Sequence, residues 1–231
     1  MPTEHTHKAF DTDIDTLRSS VTTMGGLVER QFVRAIDAVR YGDLRRVMDV
    51  LTDEETVNRM HVETDLRCNQ VIARRQPIAV DLRETIAVIH SINDLERIGD
   101  EAKKIALKAK DFNGRPLPID LEKIQRMADL VVAMLGAAID AFVRHDTAVS
   151  ATLAERDRAV DQLRDGLIEE LIATMAADSR CVSDALALVF IVQSIERVGD
   201  HAKNIAEYVV QIVEGIDPRH GLAAQARTAS V

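Results

Sequence analysis

Glu96 and Asp100 stand four positions apart in Glu-Arg-Ile-Gly-Asp, and Glu196 and Asp200 do the same in Glu-Arg-Val-Gly-Asp. On a helix that spacing stacks two carboxylates one turn apart, only ~40° around the axis. Like charges so placed repel by a few tenths of a kcal/mol, and a bound cation would relieve the repulsion. An all-oxygen donor set suits hard or borderline ions: magnesium, manganese, iron or zinc. Asp157 and Asp161 form another such pair. If their helix lies antiparallel beside that of Glu196, four carboxylates converge. Glu96 and Asp100 fall roughly opposite Ile98, Ala102 and Ile105 on the helical wheel, which predicts a groove reachable by solvent. The plainer alternative is a solvated acidic face neutralised by Lys103 and Lys203 as ordinary ion pairs.

The acidic pairs are embedded in a duplication. Residues 92–106 read INDLERIGDEAKKIA and residues 192–206 read VQSIERVGDHAKNIA, identical at eight of 15 positions. Upstream, Ile36-Asp37-Ala38 corresponds to Ile139-Asp140-Ala141, Glu54 to Asp157 and Asn58 to Asp161. Gly99 and Gly199 interrupt the motif in both copies. Glycine costs about 1 kcal/mol against alanine inside a helix, so its repetition predicts a close approach by a neighbouring helix or ligand.

Helices must carry these residues. Prolines occur only at positions 2, 77, 116, 118 and 218, and proline is excluded from helix interiors. The strongest breaker cluster is Asp111 to Asp120; weaker breaks lie at Tyr41-Gly42-Asp43, Arg75-Gln76-Pro77, His145-Asp146 and Ala177-Asp178-Ser179. Ile86, Ile89, Ile92, Leu95, Ile98, Ala102 and Ile105 recur every three or four residues, as do Ala185, Val189, Val192, Ile195, Val198, Ala202, Ile205, Val209 and Ile212. That is the period of an amphipathic helix, not of a strand. The chain is therefore expected to be all-α, with six helices of roughly 25 to 35 residues forming two tandem three-helix bundles related by an internal pseudo-twofold axis. The repeats span 8–112 and 121–214, joined by a linker at 113–120, with a frayed tail at 215–231.

Composition narrows the function. The net charge is −9 and the pI about 5.3, with no Trp, two Tyr and five Phe. An acidic surface poor in aromatics argues against nucleic acid and anionic membranes as partners. No apolar run is long enough to span a bilayer, and the first ten residues carry no signal core, so a cytoplasmic protein is expected. Cys68 and Cys181 read as two thiols, not a disulfide. His5, His7 and His220 are expected to be solvated, His61, His90 and His145 lack a partner at metal-ligand spacing, and His201 points away from Asp200. No nucleotide-binding loop, HExxH or nucleophile elbow is present, so no enzyme is expected. A ferritin-like carboxylate-bridged oxidase would need a Glu-x-x-His motif that neither acidic pair supplies. A metal-free helical scaffold is the other alternative.

Two three-helix repeats ending in ERxGDxAxxIA resemble the PhoU family. The resemblance covers residues 8–214, and includes QPIAVDLR at 76–83 and IERVGDHAKNIAE at 195–207. It implies metal sites at Asp157, Asp161, Glu196 and Asp200 in the second repeat and at Glu54, Glu96 and Asp100 in the first. Asn58 stands opposite Asp161 and Lys104 opposite Asn204, so the first site loses one negative charge and gains a nearby ammonium, and the second site is expected to bind metal more tightly. It also implies a negative regulator of phosphate uptake and phosphate-starvation signalling. Such a regulator would be an adaptor between the nucleotide-binding subunit of a high-affinity phosphate ABC transporter and a sensor histidine kinase. Bundle faces rich in Ala and Val suggest a homodimer.

Overall fold

The structure, a computed structural model, describes residues 3–112 and 116–216, with side chains from residue 11 onward. The six helices are α1 (Thr3–Tyr41), α2 (Leu44–Arg75), α3 (Ala79–Phe112), α4 (Leu121–Arg144), α5 (Val149–Ala177) and α6 (Val182–Glu214), with one 3-10 turn at Ser179–Cys181 before α6. Among the described residues there is no strand, and the all-α expectation holds. The first three residues of the expected linker, 113–115, and the tail beyond residue 216, with His220, lie outside the described residues, as do the side chains of His5 and His7.

Each anticipated break has a local cause. Gly42 leaves α1 with φ 63°, and the Asp43 carboxylate then caps α2 by accepting from Arg45 N–H at 2.9 Å. Gln76 ends α2 in the left-handed region at φ 50°; Pro77 follows and cannot continue the helix. Asp120 caps α4, accepting from Glu122 N–H at 3.0 Å. His145 ends that helix at φ 54° and Gly215 ends α6 at φ 71°. The lengths differ from the expected range at both extremes. α1 runs for 39 residues because nothing interrupts it before Gly42, and α4 spans only 24 between Asp120 and His145.

α3 packs on α1 and α2, α6 packs on α4 and α5, and the halves meet where α3 lies against α6 and α1 against α4. The two bundles therefore share one hydrophobic core. Leu17, Met24 and Phe32 of α1, Ile92, Leu95, Ile98 and Ile105 of α3, and Met127, Met134, Leu135 and Phe142 of α4 are all fully buried within it. Burial of each such side chain is worth about 1.5–3 kcal/mol. Because α3 and α6 have neighbours on several sides, their buried faces extend past the apolar stripe and take in Ser91, Asp94, Glu101 and Ser194. Residues 91–100 and 191–200 have the same pattern of buried and exposed positions, one for one. No helix among the described residues is long and apolar enough to cross a membrane.

Candidate functional site

In the second repeat α5 supplies Asp157 and Asp161, and α6 supplies Glu196 and Asp200. The four carboxylates do converge, and two cations lace them together. Lys203 donates to Asp157 and lies 3.6 Å from Asp200. Arg164 donates to Glu196, and its Nη1 is 2.9 Å from Asp161. Four carboxylates against Arg164 and Lys203 leave a formal surplus of two negative charges. The surplus is felt in the proton affinities. Burial, then the charge of Asp200, pushes the Glu196 carboxyl above its usual range, against the pull of Arg164. Burial also raises Asp200; Lys203 opposes, while Asp157 and Asp161 add to the rise. Burial works against the Lys203 ammonium, but its bond to Asp157 and the nearby negative charges leave its pKa raised.

The first repeat is built differently. Glu54 of α2 is nearly inaccessible, at 3% exposure. Gln31 Nε2 donates to its Oε2 at 2.9 Å, Asn58 Nδ2 to its Oε1 at 3.3 Å, and Lys103 Nζ stands 3.8 Å away. Burial raises the Glu54 pKa; the bond from Gln31 opposes, and the charge of Asp100, in hydrogen-bond contact with it, adds to the rise. Glu96 instead faces Arg97 at 3.6 Å, which also reaches Asp100 at 3.8 Å. Where the second cluster has Asp161, the first has the amide donor Asn58. Lys104, expected beside this cluster, bonds Glu101 at 2.8 Å. That is a correction: its position on α3 turns it toward α6 and away from α2.

The expected groove is still reached by solvent but is partly covered. Glu96 and Asp100 are half-buried, while Glu54 and Asp157 are buried, because α2 and α5 lie directly over the acidic faces of α3 and α6. The glycines differ too. A Cβ at Gly99 would stand 2.9 Å from Glu54 Oε2 and 3.1 Å from Gln31 Oε1, whereas one at Gly199 would meet nothing closer than Val131 Cγ2 at 3.4 Å. Close approach therefore explains the first glycine and not the second.

As placed, no three His, Cys, Asp or Glu side chains among the described residues are arranged to hold a metal ion. Arg164, Lys203, Lys103 and Arg97 pair with the acids directly. The donor chemistry nonetheless fits a hard cation: all-oxygen groups, partly desolvated, with their negative charge incompletely neutralised.

Sequence reasoning missed the pairing across the α3–α6 junction. Asp94 is buried and accepts from Tyr208 Oη at 2.8 Å and Asn204 Nδ2 at 3.3 Å, with His201 Nδ1 2.6 Å away. His201 is thus neither solvated nor beside the acidic cluster. Across the pseudo-twofold, Glu101 is hydrogen-bonded by Ser194 and Lys104 and is approached by Arg197 at 3.5 Å. Desolvation would raise the Glu101 pKa, but these partners more than offset it and hold the carboxyl below its usual range. A signal was available. Within the matched 15-residue segments Asp94/Ser194, Glu101/His201 and Lys104/Asn204 are the chemically unlike pairs. The two copies diverged where they face each other.

Of the other histidines, His90 stacks on Tyr208 with ring centroids 5.2 Å apart, and His61 Nε2 lies 2.8 Å from Asn93 Oδ1. His145 Nε2 lies 3.4 Å from Glu84 Oε1. Cys68 is buried, Cys181 is half-buried, and both are free thiols.

Comparison with known proteins agrees with this architecture. The PhoU domain model matches twice, at residues 21–109 and 124–209, one match in each repeat. The Phosphate-specific transport system accessory protein PhoU homolog of Pseudomonas putida is 37% identical over 219 residues, covering 94% of this chain and 86% of the relative. The Phosphate-specific transport system accessory protein PhoU of Escherichia coli (strain K12) is 37% identical over 220 residues, covering 94% and 90%. The crystal structure of PhoU from Pseudomonas aeruginosa superposes with a TM-score of 0.86 at 36% identity, covering 90% of this chain and 100% of that one. The phosphate transport system regulatory protein PhoU from Streptococcus pneumoniae gives 0.84 at 26% identity, covering 90% and 98%.

Proposed function

Because this chain belongs to the PhoU family, we propose that it is a cytoplasmic accessory protein of a phosphate-specific transport system and a negative regulator of phosphate uptake and phosphate-starvation signalling. The observation that carries this reading is the double family match, one per repeat, on a chain 37% identical to the accessory proteins of Pseudomonas putida and Escherichia coli over nearly its whole length. As an adaptor it docks through helix faces, as a homodimer, on the nucleotide-binding subunit of the phosphate ABC transporter and on the sensor histidine kinase. The exposed apolar side chains Leu44 and Met48 on α2 and Leu186 and Phe190 on α6 are suited to such contacts.

Metal binding belongs to the same proposal. Asp157, Asp161, Glu196 and Asp200 would hold a divalent or ferric ion, with Glu54, Glu96 and Asp100 a weaker second set. Support comes from the surplus negative charge in the second cluster. An ion bound there supplies the positive charge that Arg164 and Lys203 provide only in part. Its role is structural or sensory, with Arg164 already committed to Glu196.

The test is a deletion strain grown in abundant phosphate. Expression of the phosphate-starvation genes and uptake should both rise, and the intact gene should repress them again. Unchanged expression in the deletion strain would sink the regulatory reading. Complementation with Glu196→Ala/Asp200→Ala then asks whether the acidic cluster is needed for repression.

A further inference from the structure

The two ends of the α3–α6 junction are related by the internal pseudo-twofold but are filled differently. At one end His90 stacks on Tyr208, whose hydroxyl bonds Asp94. The equivalent positions at the other end are Phe190 and Lys108, an offset of 100 in each case. Lys108 Nζ lies over the Phe190 ring, 5.6 Å from its centroid. Here the junction opens into a groove of about 540 Å³, whose walls include Lys104, Leu107 and Lys108 on α3 and Phe190 and Arg197 on α6.

Phe190 is 48% exposed and Leu107 40%, which leaves an apolar floor open to solvent. Lys104, Lys108 and Arg197 ring it against two carboxylates, Asp111, 3.6 Å from Lys108 Nζ, and the buried Glu101, in a chain whose net charge is −9. Lys104 and Arg197 are held in place by Glu101, buried between the two helices. From Lys104 to Asp111 the wall runs about 10 Å along α3, close to two helical turns, and parallel helix walls accept a third helix at 8–10 Å spacing.

We propose that this groove is a docking site for an acidic amphipathic helix of a partner protein. The apolar edge of that helix would cover Phe190 and Leu107, and its flanking Asp and Glu residues would pair with Lys104, Lys108 and Arg197. Charge complementarity selects this occupant: a basic helix meets three like charges, and a second copy of this chain, itself strongly acidic, would have to present one of its own acidic faces. The inference rests on the adaptor reading for the existence of a partner. The two fail separately, since normal repression in the deletion strain would remove that reading without touching peptide binding.

The probe is a pair of fluorescein-labelled amphipathic helical peptides with identical Leu/Ala apolar faces, one flanked by Glu and the other by Lys. Binding to the full chain is read by fluorescence anisotropy at low salt. The Glu peptide is expected to bind at least ~10-fold tighter than the Lys peptide. Phe190→Ala should weaken it ~10-fold, and Lys104→Glu/Lys108→Glu should invert the preference. Arg59→Glu on α2 should change neither. These side chains are exposed, and unchanged helicity in each variant confirms that the fold is intact. Absence of binding by the Glu peptide, or binding indifferent to the groove substitutions, overturns the proposal. Sedimentation velocity supplies a further arm: a dimer that Phe190→Ala dissociates would make the occupant a second copy and overturn it as well.

Discussion

The two carboxylate clusters occupy equivalent places in equivalent repeats, yet they keep their charges apart by different means. The second cluster keeps four acids and neutralises them only in part, with Arg164 and Lys203, both reachable from solvent. The first has Asn58 in place of one acid, and its Glu54, buried as Asp157 is, is bonded by Gln31 and packed against Gly99. A duplicated motif thus yields one cluster held by two charged side chains, Arg164 and Lys203, and one whose buried acid is bonded by the neutral amides of Gln31 and Asn58. The lesson is that the motif specifies where the acids stand, and its surroundings decide whether a cation can take part.

The largest effect expected from this contrast is on ion pairing. Lys203→Met strands Asp157 and Asp200 in a partly buried site and should cost about 1–3 kcal/mol in urea unfolding. Lys103→Met, whose ammonium stands 3.8 Å from Glu54, should cost no more than about 1 kcal/mol. Equal losses would erase the distinction between the clusters. Metal titration follows. A divalent ion at about 100 times its Kd should stabilise the protein by about 2.7 kcal/mol. Glu196→Ala/Asp200→Ala should abolish most of that gain and most of the bound metal by elemental analysis, and Glu96→Ala/Asp100→Ala little of either. The glycines give a smaller difference of opposite sign. Gly99→Ala, forced against Glu54 and Gln31, should destabilise by about 1–2 kcal/mol. Gly199→Ala, with only ordinary contacts around its new methyl, should gain up to about 1 kcal/mol.

Acidity sharpens the comparison more gently. Glu54, Glu196 and Asp200 have raised pKa values in the folded state, so their protonation favours folding. Their contribution is fully present below the unfolded-state carboxyl values and is lost as pH rises through the raised folded ones. Stability from these groups should therefore increase as pH falls through their raised folded-state values toward the unfolded ones at about 4, while metal-induced stabilisation shrinks because protons compete for the same oxygens. Thermal unfolding with and without metal checks both directions. The smallest effect concerns the thiols, one in each repeat. Burial, with the charge of Asp65, pushes the Cys68 thiol up to about 12, so it should resist an aromatic disulfide reagent near neutral pH. The half-buried Cys181 should react first.

Much of this was legible in the chain. Asp43, Gln76-Pro77, Asp120 and His145 end or begin helices through local backbone chemistry, so the breaks could be placed without tertiary information. The convergence of Asp157 and Asp161 with Glu196 and Asp200 followed from two i, i+4 pairs and an antiparallel neighbour. The involvement of Arg164 and Gln31 was not legible. Each acts across a gap between helices, and the rotation of one helix about another leaves no periodic trace of its own. Lys104 shows the same limit: its place on α3 was clear, but which neighbour that face meets was not.

Local propensity and periodicity therefore determined the helices, the duplication and the pairs of acids, because those depend on residues a few positions apart. Only the tertiary structure decided that two bundles share one core, that Glu54 is buried while Glu196 is reached by Arg164, and that Asp94 answers His201 across the junction. Those outcomes depend on which faces come together, and a buried polar group acquires its energy only from the partner that arrives.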